Sequence, residues 1–313
     1  MKLSPRTSGV LPAATLCVAA AFLLRLAPDT LSAVAAESLP GLVEDATRLG
    51  QPSNAARLEA LQALLRSRHV DFALQPFAND RRARDSREQG QNVVLTAGSG
   101  RRDLIVGAHF DAVALADGSL SGGMVDNAAS VAALVRVAES LGGRQLRHRV
   151  RVVFFDMEEI GHVGSGHFAQ SMDRAAVAAM VNLDIAGYGD TVFAGPSADP
   201  GNAAVYDALR RVCARDRRTC IESAAFPQSD DRSFQAAGTP NVSLGIVPRI
   251  EVHQMWLLLN GGRGSGLAAD FRPGIMRVIH TAEDRASRLD AAAMTLAHDV
   301  VAALVLELDA TLD

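Results

Sequence analysis

Two adjacent carboxylates, Glu158 and Glu159, follow the apolar run that ends at Phe155 in "FFDMEEIGHVGSG". Side by side they repel each other unless a cation stands opposite. Other acid and imidazole groups hold comparable places: His109 and Asp111 at the end of "DLIVGAHFD", Asp126 ahead of an apolar helix, Asp184 after "VNL", and His280 in "VIHTAED". Imidazole and carboxylate suit zinc at ~2.0–2.2 Å, and a ligand set without thiolates argues against a closed structural zinc site. Two histidines and three carboxylates exceed what one tetrahedral ion takes. They suit two ions ~3.5–4 Å apart, bridged by a carboxylate and a water, with one carboxylate to spare. Each residue alone has a plainer use: a histidine at a strand end usually serves structure, Asp126 can cap a helix, Asp184 can end a strand, and the glutamates can form a solvated turn. Their joint placement at strand ends is what points to chemistry, because functional groups in open α/β sheets collect at the carboxyl ends of strands.

The elements that must position these groups alternate. "SNAARLEALQALLRSR" has helical periodicity, with Ser53 as N-cap, and "VDFALQPFA" follows as a strand. "NVVLT" and "DLIVGAHFD" flank "AGSGRR" and read as neighbouring strands joined by a turn. A helix at "DNAASVAALVRVAESL" stops at Gly142-Gly143, and the strand "RVRVVFFD" comes next. Further strands at "AAMVNLDIA", "TVFAG" and "NVSLGI" interleave with helices at "AAVYDALRRVCARD" and "RLDAAAMTLAHDVVAALVLEL". Strands apolar on both faces, alternating with helices, predict an α/β fold: a three-layer α/β/α sandwich around a mostly parallel sheet, built as a single domain over 37–313. Residues 248–274 resist the pattern. They read as an amphipathic helix and a loop that shape a substrate entrance, with Trp256 as an apolar plug.

Residues 1–36 form a different text. Lys2 and Arg6 precede an apolar stretch from Val10 to Leu24, Arg25 ends it, and small residues lead to Glu37. This is a signal peptide's order of parts, shorter than the ~20 residues a membrane span needs. It predicts export to the periplasm or beyond, with no stable membrane association after cleavage. In that oxidising setting, Cys213 and Cys220, which bracket "ARDRRT", are expected to close a short disulfide loop. A net charge of −4 with scattered arginines excludes the basic field that gathers nucleic acid. The sequence sets no oligomeric state.

At "GAHFD", "DNAAS", "FFDMEEIGHVGSGHFA", "NLDIAG" and "IHTAED", in this order, the chain resembles metallopeptidase family twenty-eight. These are co-catalytic zinc exopeptidases that include secreted bacterial aminopeptidases, glutamate carboxypeptidase II and glutaminyl cyclases. The resemblance implies two zinc ions and a peptide substrate. His109 and Asp184 would bind one ion, Glu159 and His280 the other, and Asp126 would bridge them. Glu158 would be the general base, taking a proton from the metal-bridging water and returning it to the leaving amine, while Asp111 would orient His109 through the ring's second nitrogen.

Two positions depart from the family pattern: Asp231 stands in "SDDRSF" where a histidine is common, and Phe226 where some members have tyrosine. Neither belongs to the inferred ligand set. His162 and His167 are expected to face solvent or pack locally. Within the resemblance an aminopeptidase is the first reading. A single-zinc glutaminyl cyclase is the alternative, although such enzymes tend to carry a tryptophan where this chain has Val278 and Ile279. A non-catalytic binding protein on the same fold is a further alternative, although such chains lose ligands and this one keeps them.

Overall fold

Strands buried on both faces dictate the centre of the molecule. The computed structural model describes residues 38–268 and 270–313, so the leader expected at 1–36 lies outside the described residues. Eight strands form one sheet in the order β1-β2-β4-β3-β5-β8-β6-β7: β1 (Ala73–Ala78), β2 (Gln89–Ala97), β3 (Asp103–His109), β4 (Arg149–Phe155), β5 (Val177–Leu183), β6 (Thr191–Gly195), β7 (Cys220–Glu222) and β8 (Asn241–Val247). Every residue of β3, β5, β6 and β8 is buried. The pairs β4/β3, β3/β5, β5/β8 and β6/β7 are parallel, and the remaining pairs are antiparallel.

Successive residues in a strand point to opposite faces, and the two faces have separate cores. Leu104 and Val106 of β3 pack with α3 (Ala129–Leu141) and α8 (Ala291–Thr311) through Leu134, Val137, Leu304 and Val305. The helices α1 (Leu42–Thr47), α2 (Asn54–Ser67) and α5 (Ala203–Arg215) add to the same core. On the other face, Ile105 and Phe155 meet Phe168 of α4 (Val163–Ser171) and Phe234 of α6 (Asp231–Ala236). The centroids of Phe155, Phe168 and Phe234 lie 5.8–6.2 Å apart, within the range of favourable aromatic contact. Helices thus cover both faces, as the alternating pattern predicts.

Two expectations need correction. The turn at 98–102 does not join sheet neighbours: β4 lies between β2 and β3, with Val94 paired to Val153 on one side and Val106 to Val152 on the other. The chain crosses the start of β4 at Gly100, where a Cβ would stand 2.1 Å from the Arg147 carbonyl oxygen. Trp256 is no plug. It ends α7 (Arg249–Trp256) with 42% of its surface exposed, while Val252 and Met255 of the same helix are buried with Phe193 and Ile275. Ser53 caps α2 as expected, accepting the Ala56 N–H at 3.2 Å. Cys213 and Cys220 are disulfide-bonded with their Cα atoms 6.2 Å apart, tying α5 to β7.

Candidate metal centre

Parallel pairing brings three chain segments out of one edge of the sheet. His109 ends β3 opposite Phe155 of β4, and Gly107 pairs with Asn182, which sets Asp184 level with His109. Glu158 and Glu159 emerge just beyond β4. Two loops complete the rim. Asp126 lies in a wide turn at Met124–Ala128 with a non-helical backbone (φ −121°, ψ 87°), and it does not cap α3, whose N-cap position is held by Ala128. His280 comes from a loop after a single helical turn at Ile275–Arg277, with its backbone in the left-handed region (φ 57°).

These groups converge. His109 Nε2 lies 3.1 Å from Asp126 Oδ1 and 3.5 Å from Asp184 Oδ1. His280 Nε2 lies 3.1 Å from Asp126 Oδ2 and 3.2 Å from Glu159 Oε2. The two oxygens of Asp126 therefore face different histidines. His109 Nδ1 is 3.2 Å from the Asp111 main-chain carbonyl and 3.5 Å from its carboxylate. A carbonyl only accepts, so Nδ1 donates there, and Nε2 is the nitrogen left to face Asp126 and Asp184. The Asp111 carboxylate accepts the backbone N–H groups of Glu158 at 3.0 Å and Glu159 at 3.2 Å, fixing the turn that presents both glutamates.

The electrostatics call for cations. Burial opposes charge on His109, but Glu158, Asp111, Asp126 and Asp184 outweigh it and hold its pKa well above that of free imidazole. Contacts with Asp126 and Glu159 raise His280 to about 11. Burial raises Glu159 to about 7 and pushes Glu158 well above the usual carboxylate range. Glu159 Oε1 and Asp184 Oδ1 are buried without a hydrogen-bond donor. Buried carboxylate oxygens are costly when unpaired, and coordination to a divalent cation satisfies them. Each of the sets His109/Asp126/Asp184 and Asp126/Glu159/His280 has its ligand atoms within 4.8 Å of one another. The donors are hard and borderline nitrogen and oxygen atoms, a set that fits zinc.

Several supports carry no obvious signal in the sequence. Asp284 accepts the N–H groups of Met124, Val125 and Asp126 at 2.7–3.1 Å. Asn127 bonds the Leu183 carbonyl at 3.1 Å and the Ile185 N–H at 3.0 Å, clamping the chain on both sides of Asp184. Arg57 of α2 is fully buried and donates to the carbonyls of Phe110, Gly122 and Gly123 at 2.7–3.1 Å. Asn54 brackets Ala112 with two further bonds. Beside Glu159 opens a cavity of about 600 Å³, lined in part by Asn54, Arg84, Asp111 and Ile160. Glu251 of α7 accepts from the Tyr188 hydroxyl at 2.8 Å and the Ile275 N–H at 2.6 Å, joining the helix to the loop that carries His280. Asp230 and Asp231 are also buried, and burial raises them to about 8 and about 7.

An α/β/α sheet with imidazole and carboxylate groups gathered at one rim is the architecture of a zinc exopeptidase-like fold. The sequence profile of Peptidase family M28 matches residues 92–305. The chain belongs to that family of zinc-dependent peptidases. Its fold is similar to that of a Bacillus subtilis zinc aminopeptidase (TM-score 0.54, 18% identity, covering 70% of this chain and 50% of that one). It is also similar to the LapA aminopeptidase of Legionella pneumophila (0.62, 17%, covering 87% and 68%) and to a Fimbriiglobus ruber glutaminyl cyclase (0.63, 18%, covering 87% and 97%). The chain spans about half the length of the Bacillus aminopeptidase it matches. Comparison with curated protein sequences gave no significant match.

Proposed function

We propose that the protein is an exported di-zinc aminopeptidase that removes N-terminal residues from peptides. One observation carries the reading: two sets of ligand atoms share Asp126. His109 and Asp184 would hold one zinc ion, Glu159 and His280 the other, with a different Asp126 oxygen toward each. Bound zinc would supply the Lewis acidity that polarises the scissile carbonyl and acidifies water. Glu158 is left outside both sets, with 10% of its side chain exposed. Its burial raises its proton affinity, as suits a base that takes a proton from water and returns it to the leaving amine. Asp111 holds the backbone of that turn and sits against the His109 ring, fixing the direction of both groups. Residues 1–36 act in this reading as a cleaved leader, delivering the enzyme to peptide substrates in the periplasm or outside the cell.

The deciding experiment is metal content by mass spectrometry on purified protein, alongside hydrolysis of an aminoacyl-nitroanilide panel. Two zinc ions per chain with chelator-sensitive release support the reading; bound metal with no release from any substrate overturns it. Glutaminyl cyclase is the second reading, since the match to the Fimbriiglobus cyclase extends over 97% of that chain. One zinc with conversion of N-terminal glutamine to pyroglutamate would establish it instead.

A further inference from the structure

His162 was expected to face solvent or pack locally. In the structure its Nε2 lies 3.2 Å from Glu158 Oε1, and among the described residues no other side chain makes an ion-pair contact with that carboxylate. The imidazole is 22% exposed. Its backbone is pinned: its N–H donates to the Glu158 carbonyl at 2.9 Å, and its carbonyl accepts the Gly166 N–H at 3.0 Å and the Ser165 hydroxyl at 3.2 Å. It holds the left-handed conformation (φ 58°, ψ 37°) that favours glycine or asparagine. The ring also interacts electrostatically with the buried carboxylates of Asp230 and Asp231, and it lines a surface cavity of about 320 Å³ that includes Arg81, His167 and Arg232.

We propose that His162 is a positioning residue for Glu158, holding Oε1 with its Nε2 so that the carboxylate stays aimed into the metal centre instead of swinging among rotamers. A buried carboxylate with one polar partner takes its direction from that partner, and a general base must lie within hydrogen-bond reach of the proton it takes. The inference rests on the reading of Glu158 as the base. It assigns His162 no contact with substrate or metal, so its removal lowers turnover and leaves substrate binding and metal content alone.

The test compares H162Q, H162L and E158Q in the zinc-loaded chain, with kcat and KM measured separately on the substrate that wild type cleaves best. Glutamine and leucine bear a similar left-handed backbone cost, but only glutamine can place a donor near the Nε2 position. The expected result is a kcat about tenfold lower in H162L with KM and zinc content unchanged, and near-wild-type kcat in H162Q. Wild-type kcat in H162L, or equal loss in both variants, overturns the proposal. E158Q separates the two levels: full activity there removes the base reading itself, whereas an inactive E158Q beside a fully active H162L removes only the positioning role.

Discussion

Asp284 and Asp126 are joined through the main chain: Asp284 Oδ2 accepts the Asp126 N–H at 3.1 Å, while Oδ1 takes the Met124 and Val125 N–H groups at 3.0 and 2.7 Å. His280 lies four residues before Asp284, so a single carboxylate locks the loop bearing one histidine to the turn bearing the shared aspartate. The two donor sets are therefore one mechanical unit. D284N replaces an acceptor with an amide donor that meets N–H groups. Zinc affinity, measured by chelator competition, should fall by about 10–100-fold, the usual effect of losing support behind a metal ligand.

The adjacent glutamates should separate by their metal readout. E158Q keeps full zinc content and loses about 10²–10⁴-fold in kcat, the range expected for removal of a general base. E159Q loses affinity for one ion. Mass spectrometry paired with steady-state kinetics distinguishes these outcomes, and reversed results would exchange the two assignments.

Arg57 should govern stability more than chemistry. Its guanidinium is buried, so burial lowers its pKa to about 10 although Asp111, Asp284, Asp126 and Glu159 pull it upward. R57M leaves the carbonyls of Phe110, Gly122 and Gly123 without their donor and the nearby acids without this cation. Denaturant unfolding should show a loss of about 3–5 kcal/mol, as when one partner of a buried charged network is removed. R57K should recover only part of that, because a single ammonium cannot reproduce the planar fork that spans several carbonyls.

The candidate donor residues were legible because strand ends were. Val152–Phe155 and Leu104–Ala108 are apolar without interruption, and a chain leaving such a strand must surface at the sheet's edge, which fixes where His109 and Glu158 emerge. The β2–β3 connection was not legible: a glycine turn between two apolar runs reads alike whether it closes a hairpin or steps across a third strand, and only the later arrival of β4 decides. Asp284, Asn127 and Arg57 were missed for a related reason. Each acts on backbone groups distant in sequence, and such bonds leave no periodicity. Asp284 stood in view within "IHTAED", four residues after His280, and that spacing was the available clue. His162 gave less, since its role depends on a left-handed backbone.

Metal removal should destabilise the fold increasingly as pH rises. In the metal-free chain, burial holds Glu159 at about 7 against 4.5 for the free side chain, so its share of stability is present at low pH and is lost as pH climbs from about 4.5 through about 7. His280, raised from 6.5 to about 11, contributes stability fully present below 6.5 and lost as pH rises through about 11. Metal binding has the opposite slope, because its ligands must first lose protons. The gap in Tm between zinc-loaded and chelated protein should therefore widen from acid to alkaline pH in differential scanning calorimetry; a gap constant with pH would count against these residues as ligands.

Gly122 offers a test of the coupling between the two loops that spares every polar group. A Cβ at this position would stand 2.1 Å from the Asp284 carbonyl oxygen, a backbone atom with no rotamer by which to retreat. G122A must therefore push the segment around Asp284 outward. That movement stretches the three amide contacts Asp284 makes to the Asp126 turn and carries His280 with it. The sheet and its two cores lie behind this contact, so circular dichroism should stay unchanged while stability drops by about 1–3 kcal/mol, the ordinary cost of overpacking. Zinc affinity should fall as in D284N, although no donor has been altered. The double variant should then lose less than the sum of the two single changes, because both act on the same contact between loops.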